Sequence, residues 1–187
     1  MSDTPRIEPL EEDEWSDAVH EILDPLKAMG GGRTLNIFRT LAHHPDLMRR
    51  WLVFGNHVLG KSTLPPRERE IAILRIGWLC RSAYEWGQHV IIARGIGMTD
   101  EEISRIAAGA DAEGWTEAES LLIRATDELH ADARIGDVTW KSLNEHFGRQ
   151  QLMDLVFAVG QYNLVSMALN TFGVVPDPGV PGFDETT

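Results

Sequence analysis

Apolar side chains recur along this chain at three- and four-residue steps, and no segment sustains an alternation of period two, so the pattern predicts helices and supports no strand. Trp15, Val19, Ile22, Leu23 and Leu26 mark a first amphipathic helix, ending before the glycines at 30–32, which read as a loop. A helix from about Thr34 to Ala42 stops at His43-His44-Pro45, where the histidines suit a loop and helix cap. Pro45 suits the first turn of the next helix, whose apolar side carries Met48, Trp51, Leu52, Val58 and Leu59. Pro65-Pro66 opens REREIAILRIGWLC, apolar nearly all round toward its end, as expected of a helix at the centre of a bundle. The stretch around YEWGQHVIIARG forms another helix, ending near Gly95 or Gly97.

Two further starts carry capping boxes, Thr99 with Glu102 and Thr116 with Glu119. Leu121, Leu122, Ala125 and Leu129 form the inward stripe of the second. A helix over 138–147 follows, with Gly148 as its terminator, and a last, mostly buried helix spans about 150–172. The expected fold is all-α: one helical domain over 15–175, an acidic N-terminal segment at 1–14, and a Pro/Gly-rich tail at 176–187, both ends outside the core.

At 187 residues, 43% of them hydrophobic, the chain can bury a core without disulfides. Its net charge of -12 disfavours nonspecific binding to nucleic acid or anionic membranes. Cys80 is the single cysteine, a free thiol suited to a reducing compartment. No apolar leader and no run of about eighteen apolar residues is read, so a cytoplasmic protein is expected.

The candidate chemistry lies between Trp78 and Gly97. On a helix, Ser82, Glu85 and His89 fall within an arc of about 60°, so their side chains can converge. Burial raises a carboxyl pKa and lowers an imidazole pKa, whereas proximity favours the ion pair; that competition can poise a donor and an acceptor near neutrality. A solvated surface pair is the alternative for Glu85 and His89. They could also supply two metal ligands, but no HExxH and no paired cysteines provide a third, so no metal is expected. Gln161, Tyr162, Asn163 and Asn170 interrupt the last apolar helix, either knitting helices together or lining a pocket. His20, His57, His130 and His146 read as wet faces or helix ends.

The segment LPPREREIAILRIGWLCRSAYEWGQHVIIARGIGMTDEE, with LNTFGV further on, resembles the carboxymuconolactone decarboxylase family, which includes the alkylhydroperoxidase D-like proteins. The likeness covers roughly residues 34–175 and implies an orthogonal helical bundle that assembles into homotrimers or homohexamers. The peroxidase branch places a glutamate twelve residues before CxxCxxxH. Counted from Glu70, those positions are Ser82, Glu85 and His89, so both thiols are replaced and the internal dithiol cycle is absent.

The resemblance therefore implies the decarboxylase-like branch, a cofactor-free lyase or isomerase acting on a small unsaturated carboxylic acid or lactone, as in aromatic-compound breakdown. His89, Glu70 and Glu85 are the candidate acid–base residues. Ser82, Tyr84 and Trp86 are candidate substrate contacts, and Arg75 and Arg81 are candidate anchors for an anionic group. Two alternatives stand beside it: a thiol-dependent peroxide reductase using Cys80 with an external resolving thiol, and a non-catalytic oligomeric protein that binds a small molecule in the same pocket.

Overall fold

A computed structural model describes residues 4–27 and 32–185. Nine α-helices lie among the described residues, with no strand: α1 Asp17–Leu23, α2 Asn36–Leu41, α3 Pro45–Gly60, α4 Pro66–Leu79, α5 Ala83–Gly95, α6 Asp100–Ala108, α7 Glu117–Asp132, α8 Asp137–His146 and α9 Arg149–Phe172. The all-α expectation holds. Gly30 and Gly31 of the expected glycine loop lie outside the described residues.

Local chemistry sets the boundaries. Pro66 opens α4, where a missing N–H costs nothing. His44 caps α3 by accepting from the Leu47 amide through Nδ1 at 3.3 Å. Both capping boxes form as read: Thr99 Oγ1 accepts from the Glu102 amide and Thr116 Oγ1 from the Glu119 amide, each at 3.3 Å. Three boundaries differ from the sequence reading. Trp15 precedes α1, and the helix tightens into a 3-10 turn at Asp24–Leu26, where Pro25 has no amide to donate. Gly148 starts α9 rather than ending α8; its amide donates to Gln151 Oε1 at 2.9 Å. Ser82, read as part of the helical face with Glu85 and His89, stands just before α5, after a turn in which Arg81 adopts φ +52.

Helix α4 is the axle of the bundle, packed against α5, α6, α7 and α9. Its residues Ile71, Ala72, Ile73, Leu74 and Ile76 are fully buried, which accounts for a helix apolar on all sides. Helix α1 and the segment before it pack on α2 and α3 through Trp15, Val19, Leu23, Ala42 and Met48. Helix α9, 24 residues with a mean hydropathy of 1.4 over its most apolar stretch, is long and apolar enough to cross a membrane by length and composition. No such segment was read from the sequence. Half of that stretch is buried inside the bundle, as suits a core helix.

The Pro/Gly-rich tail is not detached. Phe183 packs on Trp78 and Trp86, with ring centroids 5.1 and 5.6 Å away. Val180 and Pro181 lie across α5 at Gly87, where a Cβ would stand 2.4 Å from Val180 Cγ1 and from the Pro181 carbonyl oxygen. Only glycine lets the strap approach so closely.

Candidate active site

Helices α4 and α5 cross so that Glu70, from the buried middle of α4, faces His89 on α5. The ring is held at both nitrogens: Nδ1 lies 2.6 Å from Glu70 Oε2 and Nε2 lies 2.9 Å from Glu85 Oε1. Glu85 and His89, four residues apart, share one face of α5 as the helical arc requires. All three are buried, and Glu70 is fully so. Arg69 Nε donates to the other Glu70 oxygen, Oε1, at 3.2 Å. Two acidic and two basic side chains thus face one another in the interior, each within hydrogen-bond reach of a partner of opposite type.

Burial opposes a charge on the His89 ring, but the charge of Glu70, its hydrogen bond and the matching interactions of Glu85 outweigh it, pushing the pKa from 6.5 up to about 10. The expectation of a group poised near neutrality is corrected accordingly. His89 is an imidazolium at neutral pH, with both N–H groups donating to carboxylates, because two acidic partners surround it rather than one.

Glu85 and His89 open onto a cavity of about 310 Å3 formed by α2, α3, α5 and α9. Glu70, bonded to Nδ1, is not among the residues that line it. Most of the lining is aliphatic or aromatic, with polar groups from Asn56, Tyr84, Gln88, Gln161 and Tyr162. Tyr162 meets the His89 ring edge to face at 4.7 Å. Burial, followed by the charges of Glu85 and Glu70, pushes its hydroxyl pKa well above the ordinary value, which keeps it a neutral donor. No Lys or Arg lines the cavity among the described residues.

The other sequence candidates fall in different places. Tyr84 does line the cavity, and its hydroxyl donates to Asp177 of the tail at 2.5 Å while accepting from the Ile37 amide at 3.2 Å. Ser82 precedes α5 with its hydroxyl buried and unpartnered; it lies outside the cavity because the turn at Arg81 interrupts the presumed helix. Trp86 is core, packed at a tilt against Trp78 and Phe183. Arg75 is committed to Asp127, at 2.6 and 3.0 Å, and to the carbonyls of Ile106 and Ala107 at 3.0 Å. Arg81 is exposed on the α4–α5 turn. Neither arginine reaches the cavity.

Cys80 also stays outside it. Its thiol donates to Asn163 Oδ1 at 3.0 Å, and Asn170 Nδ2 donates to its carbonyl at 2.9 Å. Burial raises the thiol pKa; a hydrogen bond with Ser166 opposes the rise and the Glu85 charge adds to it. The polar residues of α9 thus divide by position: Gln161 and Tyr162 line the cavity, whereas Asn163 and Asn170 tie α9 to the end of α4. Gln88, Asn56 and Arg69 were not picked out from the sequence. Only Arg69, adjoining Glu70 in RERE, carried a local signal.

Residues 45–128 match the model of the carboxymuconolactone decarboxylase family, which supports the resemblance read from the sequence. Among solved structures, a peroxidase-related protein from Ralstonia eutropha JMP134, described as an alkylhydroperoxidase AhpD core, is 19% identical with a TM-score of 0.82 over 93% of each chain. A peroxidase-related protein from Silicibacter sp. TM1040 is 14% identical with a TM-score of 0.82, covering 96% of this chain and 97% of that one. The debrominase Bmp8, in complex with 2,3,4-tribromopyrrole, is 12% identical with a TM-score of 0.74, covering 92% of this chain and 91% of its own. At such identities the likeness shows the fold. Comparison with curated proteins returned no significant match.

Proposed function

We propose, from the premise that residues 45–128 carry the carboxymuconolactone decarboxylase family match, that this chain is a cofactor-free acid–base enzyme of the lyase or isomerase kind, moving a proton on a small unsaturated lactone or related carbonyl compound. The observation that carries the reading is the buried Glu70–His89–Glu85 array, with Glu85 and His89 at the wall of a largely apolar cavity. A carboxylate held against an imidazolium can take a proton from the carbon next to a carbonyl, and the imidazolium can return one at the conjugated position. Between those steps the negative charge resides on the enolate oxygen, which the Tyr162 hydroxyl or the Gln161 amide can meet as donors. Glu70 is a positioning residue: it fixes the ring through Nδ1 and keeps it charged.

The lining favours a neutral substrate. Among the described residues a substrate carboxylate would find no guanidinium or ammonium lining the cavity, and the His89 imidazolium already holds two carboxylates. A proton shift on a neutral lactone therefore suits the site better than loss of carbon dioxide from an anionic acid. The thiol-dependent reading has the least support, because Cys80 is a protonated donor outside the cavity. The test is proton–deuteron exchange: γ-methyl butenolide incubated with the protein in deuterium oxide should exchange its ring protons α and γ to the carbonyl, and not the β proton, as followed by NMR. Exchange should vanish in His89→Gln and Glu85→Gln with the fold intact; exchange at the wild-type rate in both variants removes the proposal.

A further inference from the structure

Beside the His89 cavity lies a second hollow of about 200 Å3, bounded by α2, α3 and α9 and lined only by apolar surface. Ile37, Trp51 and Val165 line both spaces, so the two are neighbours across a shared wall. Ala168 and Phe172 of α9 bound the second hollow alone. Its rim carries Leu47 and Leu164, both about half exposed at 51% and 52%. The two compartments have opposite character. Glu85, His89, Gln161 and Tyr162 make the first polar on one side, whereas the exposed lining of the second is apolar throughout, the Thr40 hydroxyl and the Trp51 indole N–H at its border being buried.

Water gains little in a hollow without polar partners, so an apolar occupant is favoured there. We propose that this hollow is the distal half of the substrate site, taking a hydrocarbon chain carried by a molecule whose carbonyl end lies against Glu85 and His89. The proposal rests on the acid–base reading for the head of the ligand, and on the shared wall and the apolar lining for its tail. The substrate class it names is a lactone or enone bearing an alkyl chain. The chain would pass from one space to the other at the wall that Ile37, Trp51 and Val165 share.

The experiment is calorimetric titration with γ-alkyl butenolides bearing methyl, butyl and heptyl chains, alongside the linear alcohols of matching length. In the wild type, Kd for the butenolides should fall about threefold per added methylene, the gain expected for burying each group. Ala168→Phe, which fills the hollow without touching the His89 cavity, should leave the methyl compound's Kd within about twofold and abolish the dependence on chain length. A flat chain-length series in the wild type overturns the proposal, as does an undiminished series in Ala168→Phe. So does a change of sedimentation coefficient in that variant, which would assign the hollow to contact with a second copy. The head-group reading fails separately: if alcohols and butenolides of equal length bind alike, and His89→Gln changes neither, the hollow stands as an apolar site and the acid–base assignment does not.

Discussion

Replacing Glu70 by glutamine keeps the shape of the site and removes one negative charge 2.6 Å from His89 Nδ1. At an effective dielectric constant of about 20, unit charges at that separation attract by about 6 kcal/mol. The glutamine carbonyl still accepts from Nδ1–H, and a hydrogen bond to a charged group recovers about 1.5–3 kcal/mol. The net loss of about 3–4.5 kcal/mol to the charged ring lowers its pKa by about two to three units, from about 10 toward 7. Nitrogen-detected NMR of the imidazole reads this directly in both proteins. Stability should follow with a definite sign. Because the folded pKa of His89 is raised above 6.5, the imidazolium's contribution is complete below about 6.5 and is lost as pH rises through about 10. Each pH unit in that window costs the wild type about 1.4 kcal/mol. The variant, its window shortened, should stop losing stability to this group near neutrality. Urea unfolding at about pH 7 and about pH 9.5 compares the two, and other groups titrating in the range largely cancel in the difference. A ring that titrates at the same pH in both proteins refutes the assignment of Glu70 as the partner that keeps His89 charged. Equal stability losses across the window refute it too.

Three further outcomes follow from the packing. Cys80→Ser keeps a donor to Asn163 and should shift stability by no more than about 1 kcal/mol, with the deuterium-exchange rate unchanged and iodoacetamide without effect on it; a large loss of exchange would restore the thiol reading. Arg75→Ala leaves Asp127 and the carbonyls of Ile106 and Ala107 without their donor, and should cost about 2–4 kcal/mol in urea unfolding while butenolide Kd stays within twofold. Gly87→Ala drives a methyl into the Pro181 carbonyl and Val180, so the 176–185 strap should lift. Its amides should then exchange faster with deuterium and its peptide bonds cleave sooner with protease, and wild-type protection would show that the strap does not depend on that close approach.

The elements were legible where local chemistry decides them. Proline at a helix start, two capping boxes and a helix apolar on all sides each have a mechanism confined to a few residues, and each appears where the sequence places it. Glu85 and His89 were legible for the same reason, as polar groups on one face of an otherwise oily helix. The same arc misplaced Ser82, because the angle holds only inside a continuous helix, and Arg81 at φ +52 re-aims the chain just before α5 begins. Trp86 shows a related limit: adjacency to Glu85 along a helix turns a side chain by about 100°, toward Trp78 and the tail rather than the cavity.

Arg75 shows what periodicity cannot carry at all. An arginine in an apolar helix must find partners, but whether they are a ligand or the protein depends on Asp127, fifty-two residues on, and on two carbonyls at the end of α6. With those partners filled, the guanidinium has little to offer a substrate, and the charge that distinguishes the cavity is the one imidazolium. The tail was set outside the core because proline and glycine suppress helical periodicity, although one aromatic, Phe183, and one carboxylate, Asp177, are enough to anchor it. Asp177 accepts from Tyr84, from Gln88 at 3.0 Å and from the Asn36 amide at 3.0 Å, and so joins α2 to α5. Both helices contribute to the wall of the cavity. The segment with the weakest sequence pattern therefore helps to set the width of the site whose acid–base residues had the strongest.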